Sequence, residues 1–227
     1  MDRRHFGSGL IITVVGGAWH IHAQALSLSE TDAASGVRAA LERGAISAVG
    51  LLGRNDGFLG NPKVKIPLPG FLADAAKVLK YTGQGKRVDE LVVAMNRAAE
   101  AAVPKARTML VNAAKSISVE DALQLVKGGE TSVTDFFSRK TREPLGVEFL
   151  PIVTQATDKV ALADKYNAVA GKVAKAGLLK EKDANIQHYV TAKALDGLYL
   201  MIGEEEKKIR RDPVGTGSAI LRKVFGL

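Results

Sequence analysis

The chain has no cysteine among its 227 residues. No disulfide can staple it in an oxidising compartment, and no lipid-modified thiol can tether it. Histidine is nearly absent too. Of four, His5, His20 and His22 fall in the first twenty-five residues, which leaves His188 alone in the remainder. A zinc site built from Cys and His is thereby excluded. A serine triad would have to use His188 as its base, and no G-x-S-x-G elbow accompanies it. Aromatic residues make up only 5% of the chain. No apolar run reaches the eighteen or so residues that a membrane span needs. The sequence implies no cofactor and no metal.

The opening residues have the order of an export signal. Arg3 and Arg4 precede an apolar run from Leu10 to Trp19, and Ala23-Gln24-Ala25 supplies the small-residue end that a signal peptidase reads. The paired arginines with Phe6 also resemble a twin-arginine leader. We expect residues 1–25 to be a signal removed after Ala25, the mature chain to be periplasmic, and 26–227 to be one domain. The alternative is an N-terminal amphipathic or buried helix. Lys and Arg outnumber Asp and Glu by 32 to 24. No run of Lys and Arg exceeds two residues, which favours solubility over a nucleic-acid surface. Beyond an inner membrane, a positive excess meets lipid head groups or acidic polymers instead.

Helical periodicity dominates the rest. Val37, Leu41, Ala45, Ala48 and Leu52 share one face after candidate N-caps Ser29 and Thr31, and that helix should end at Gly53. Phe71, Leu72, Ala75, Val78 and Leu79 form a second stripe. Val88, Val92, Met95, Ala99 and Ala102 form a third, with Pro104 expected to kink or break it. Ser118 with Asp121 begins a short helix that Gly128 and Gly129 close. Thr131 or Ser132 caps another through Phe136 and Phe137. Leu145, Phe149, Val153, Ala156, Val160 and Ala163 make a clean seam, followed by a turn near Gly177. A long helix runs from Ile186 to Ile209 and stops before Pro213, and Ser218 to Phe225 suits a last short helix. These features predict an all-α fold of about eight helices.

One stretch departs from this pattern: GRNDGFLGNPKVKIPLP, residues 53–69. Val64 and Ile66 alternate with Lys63 and Lys65, and the turn residues Gly60, Asn61 and Pro62 follow Phe58 and Leu59. A small β-hairpin or an extended lid is expected there. Its apolar side chains would each forfeit about 1.5–3 kcal/mol if left in water, so the segment should be packed. It reads either as a cover for the open end of a helix bundle or as a lid beside a cleft.

Together with VDELVVAMNRAAEAAVPKA, FLPIVTQATDKV, DKYNAVAGK and ALDGLYLMIGEEEKKIRRDPVGTGSAILRKVFG, this stretch resembles the bacterial domain-of-unknown-function family 4197, from Ser27 to Gly226. The resemblance implies an exported helical protein of proteobacteria. It brings no established activity, cofactor or catalytic residue.

Local motifs exclude more than they assign. Gly83-Gln84-Gly85-Lys86 lacks the P-loop spacing, because Lys80 stands where the first glycine belongs and Arg87 where Ser or Thr belongs. Asn55-Asp56-Gly57 fails as a calcium loop, since Leu52, Arg54 and Lys63 would occupy ligand positions. Asn96 and Glu100 lie one turn apart beside Arg97. They read either as polar pins that set helix register or as the floor of a pocket in which Arg97 holds an anion. Asp158, Lys159, Asp164, Lys165, Tyr166 and Asn167 form a second polar cluster. Glu204 with Lys208 and Glu206 with Arg210 have favourable i, i+4 order and read as a solvated helix end.

The expectation from these residues is non-catalytic binding of an anionic small molecule, lipid head group or envelope polymer beside residues 53–69. Arg54, Lys63 and Lys65 would supply charge, and Asn96, Arg97 and Glu100 the floor. The alternatives are a hydrolase using a carboxylate pair such as Glu100 with Asp158, or a structural or assembly module.

Overall fold

Alanine and leucine at helical spacing carry the chain through eight α-helices in the computed structural model, which describes residues 30–175, 185–213 and 215. They are α1 (Glu30–Leu52), α2 (Gly70–Tyr81), α3 (Gly85–Ala102), α4 (Ala106–Lys115), α5 (Val119–Val126), α6 (Ser132–Thr157), α7 (Ala161–Lys175) and α8 (Ile186–Arg211). The expected leader, the cap at Ser29, the turn near Gly177 and the helix from Ser218 to Phe225 lie outside the described residues.

Among the described residues the fold is all-α and forms one core. Helix α8 packs against α1 and α6, and α6 packs against α3. Leu41, Leu91, Met95, Leu145, Phe149 and Leu198 are fully buried where these helices meet. Pro104 breaks rather than kinks its segment: α3 ends at Ala102, a 3-10 turn spans Val103–Lys105, and α4 follows. Gly53 is required beside this break, because a Cβ there would lie 2.8 Å from the Pro104 ring. The described helices include none long and apolar enough to cross a membrane.

Three local expectations are corrected. Thr31 lies inside α1 rather than capping it. The seam through Leu145 does not begin a new helix but continues the one opened at Ser132, so Pro144 and Pro151 both sit inside the 26-residue α6. Each proline removes one backbone donor, and both rings are exposed, where the loss is tolerated. The third correction concerns residues 53–69. They contain no strand, and the hairpin is replaced by consecutive turns, with Gly57 donating to Arg54, Asn61 to Phe58, and Val64 and Lys65 both to Asn61. Asp56 takes a positive φ of 64° at the first of them. The segment is nevertheless packed: Phe58, Val64 and Ile66 are buried.

Candidate functional site

The hairpin fails because helix side chains take the bonds that a second strand would have made. Asn96 on α3 accepts from the Ile66 N–H at 2.8 Å and donates to the Ile66 carbonyl at 3.0 Å, so one side-chain amide pairs with this residue as a neighbouring strand would. Glu100, one turn further on, uses one carboxylate oxygen to accept from the Phe58 and Leu59 N–H groups at 3.0 and 3.1 Å. Its other oxygen accepts from Arg97 at 2.6 Å, and Arg97 reaches on to Asp56 at 2.8 Å. Hydrogen bonds to Glu100, with that to Asp56, hold the Arg97 guanidinium above its usual range despite some desolvation.

Helix α8 supplies the other wall. Gly197 is the contact point, since a Cβ there would meet the Phe58 ring at 2.8 Å and Val64 at 3.2 Å. Tyr189 donates its hydroxyl to the Pro67 carbonyl at 3.0 Å, and Lys63 reaches Glu204 at 2.6 Å. That hydrogen bond and the Lys63 charge hold the Glu204 carboxyl below its usual range. Of the six residues expected at a ligand site, Asn96, Arg97 and Glu100 therefore meet at the segment, with their polar atoms engaged in holding it. Lys63 is paired at its edge. Arg54 and Lys65 are exposed, and their side chains make no hydrogen bond or ion pair among the described residues.

Asp158 and Glu206 also have partners. Asp158 accepts from Gln187 at 3.1 Å, and Asn167 bridges the Gln187 side chain and the Ile186 N–H at the start of α8. Asn167 therefore helps Asn185 to cap the start of α8. The run ending α8 is not a solvated end at its inner side. Glu206 is buried and accepts from the Val133 and Thr134 N–H groups at 3.3 and 2.8 Å, and from the Thr134 hydroxyl at 2.6 Å. It thus caps α6 from a distance of more than seventy residues, which is why Thr131 makes no side-chain cap there. Arg210 pairs with Glu206 at 2.9 Å and donates to the last carbonyls of α5, Leu125 and Val126.

Sequence reading overlooked a groove of about 650 Å³ between α6 and α8. Arg139, Arg142, Gly146 and Leu150 line it from α6, and His188, Thr191 and Leu195 from α8. The signal was present, since both sets recur at i, i+3 or i+4, i+7. It was passed over because the stripe read along this stretch was the apolar one through Leu145, Phe149 and Val153, which is buried. Val147 on its lip is 71% exposed. Thr191 is only 7% exposed, and its hydroxyl is the one buried side-chain polar atom without a hydrogen-bond partner among the described residues. Such an orphan costs about 1–3 kcal/mol. Arg142 pairs with Asp196, donates to the Ala192 carbonyl at 3.3 Å and lies over the Tyr199 ring. Burial raises the Tyr199 phenol above its usual range, opposed by its hydrogen bond with Thr141 and the charge of Arg142. None of the lining residues is Glu100 or Asp158.

The model of a family described as "Protein of unknown function (DUF4197)" matches residues 27–226. No curated protein and no solved structure matches the chain.

Proposed function

The chain belongs to the DUF4197 family, and we propose that it is an exported, non-catalytic helical protein that binds an anionic ligand or envelope partner on the face formed by residues 53–69. Arg54, Lys63 and Lys65 provide the charge, and Asn96, Arg97 and Glu100 form a rigid floor that fixes the backbone bearing them. The reading is carried by one contrast: the side chains of Arg54 and Lys65 stand exposed, with no partner among the described residues, on a segment whose backbone is pinned by buried groups. Rigid placement lowers the ordering cost of binding. A hydrolytic reading gains no support, because Glu100 already accepts from two backbone donors and an arginine and Asp158 from Gln187.

The test is flotation of the mature protein with vesicles rich in phosphatidylglycerol, at low salt and near 0.15 M ionic strength. Each basic residue near such a surface contributes about 1 kcal/mol, so Arg54→Glu with Lys65→Glu should lower partitioning at least about tenfold. Both side chains are exposed and unpaired among the described residues, so the thermal midpoint should move by no more than about 1–2 °C. Equal flotation of parent and double variant would refute the charged face.

A further inference from the structure

The α6 and α8 groove lies away from the 53–69 face. His188, Thr191, Ala192 and Leu195 occupy one stripe of α8, while Gly197 and Glu204, which face residues 53–69, fall on the opposite stripe. The two helices run antiparallel, since Glu206 bonds Thr134, Tyr199 bonds Thr141 and Leu195 approaches Gly146. The groove is therefore polarised along its length. Arg139 and Arg142 stand at one end, and Gly146, Val147 and Leu150 continue toward the other. One acid, Glu143, shares the rim with these two arginines.

We propose that this groove binds a single-chain amphiphile with a carboxylate head, a long-chain fatty acid anion. The volume of about 650 Å³ suits a small ligand rather than a protein element. From Arg139 to Leu150 the helix rises about 16 Å, comparable to an extended chain of roughly a dozen carbons. Charge complementarity selects the sign of the head. Arg142 is held in place by Asp196 and the Ala192 carbonyl, whereas Arg139 lies over the Phe136 ring and pairs with no carboxylate among the described residues. An alkyl chain covers the exposed Val147 and displaces water from the half-buried Leu150. Thr191, whose buried hydroxyl has no hydrogen-bond partner among the described residues, belongs to the same wall.

The deciding experiment titrates the delipidated mature protein with sodium myristate carrying a 13C-labelled carboxyl, below its micellar concentration. Calorimetry and the carboxyl resonance are the readouts, and tetradecyltrimethylammonium serves as the opposite-charge control. The parent should bind myristate at least tenfold more tightly than the cation. Arg139→Glu should weaken myristate at least tenfold and narrow or reverse that preference. Val147→Glu should weaken both probes. Both positions are exposed, so unchanged melting curves would show that the fold is intact. Arg54→Glu with Lys65→Glu should leave myristate binding unaltered, which separates this site from the vesicle-binding face. Failure of the parent to bind, or equal myristate affinity in parent, Arg139→Glu and Val147→Glu, would overturn the assignment. So would a dimeric parent that takes no myristate and that Val147→Glu converts to a monomer, because the groove would then belong to a second copy.

Discussion

Two buried glutamates do the same work in different settings. Glu100 on α3 and Glu206 on α8 each accept from two backbone N–H groups of a distant segment and pair with an arginine on their own helix. They differ in what the arginine does. Arg97 is 36% exposed and reaches outward to Asp56, so the pinned turns remain at the surface. Arg210 is 16% exposed and reaches inward to the end of α5, so the Glu206 pair joins three helices. The first locks a cover, and the second locks the bundle itself.

Removing the two carboxylates tests this difference most strongly. Glu206→Ala takes the carboxylate from the poorly exposed Arg210, which keeps only neutral acceptors on α5 and Ser132, and leaves two helix N–H groups without it; it should cost about 3–5 kcal/mol, the range for breaking one side of a buried pair. Glu100→Ala should cost less, about 2–3 kcal/mol, because Arg97 keeps Asp56 and water. Its signature should be local, with amide exchange accelerated at Phe58 and Leu59 while α6 and α8 stay protected. Urea unfolding and hydrogen exchange check both, and equal global losses would erase the distinction. Next in size is Gly197→Ala. The added Cβ would sit 2.8 Å from Phe58, and overpacking of this kind costs about 1–3 kcal/mol. An unchanged denaturation midpoint would mean that the cover moves aside freely.

The smallest effect concerns the edge contact of the cover. Lys63 holds the Glu204 carboxyl below its ordinary value of 4.5. The contact therefore stabilises the fold fully above that value and is lost as pH falls through the depressed one. Lys63→Ala should make the acid limb of the stability profile shallower below about pH 4.5 and lower neutral-pH stability by no more than about 1 kcal/mol, less in high salt. An acid limb of unchanged steepness in the variant would remove the contact from the account.

Much of this molecule was legible because its signals are local. Helical spacing located α1, α3 and α8, Ser118 and Asp121 identified the cap of α5, which the structure shows at 3.1 Å, and Pro104 marked a break. The apolar content of residues 53–69 showed that they pack. Their backbone was misread for a specific reason. Alternation of Val64 and Ile66 with Lys63 and Lys65 describes burial of every second side chain, and that pattern arises equally when an asparagine side chain replaces the partner strand. The end of α8 was misread similarly, since i, i+4 charge order looks the same on a solvated face and on one that caps two other helices.

Composition and spacing alone determined that the chain is helical, carries no thiol and packs the apolar side chains of residues 53–69, because those properties depend on neighbours within about one turn. Tertiary structure decided which charges are pins and which stand free. Asn96, Glu100 and Glu206 acquire their roles from backbone groups thirty to more than seventy residues away, and the α6 and α8 groove exists only where two stripes meet. Burial of a polar group is set by what comes to lie against it, a property that no stretch of chain carries by itself.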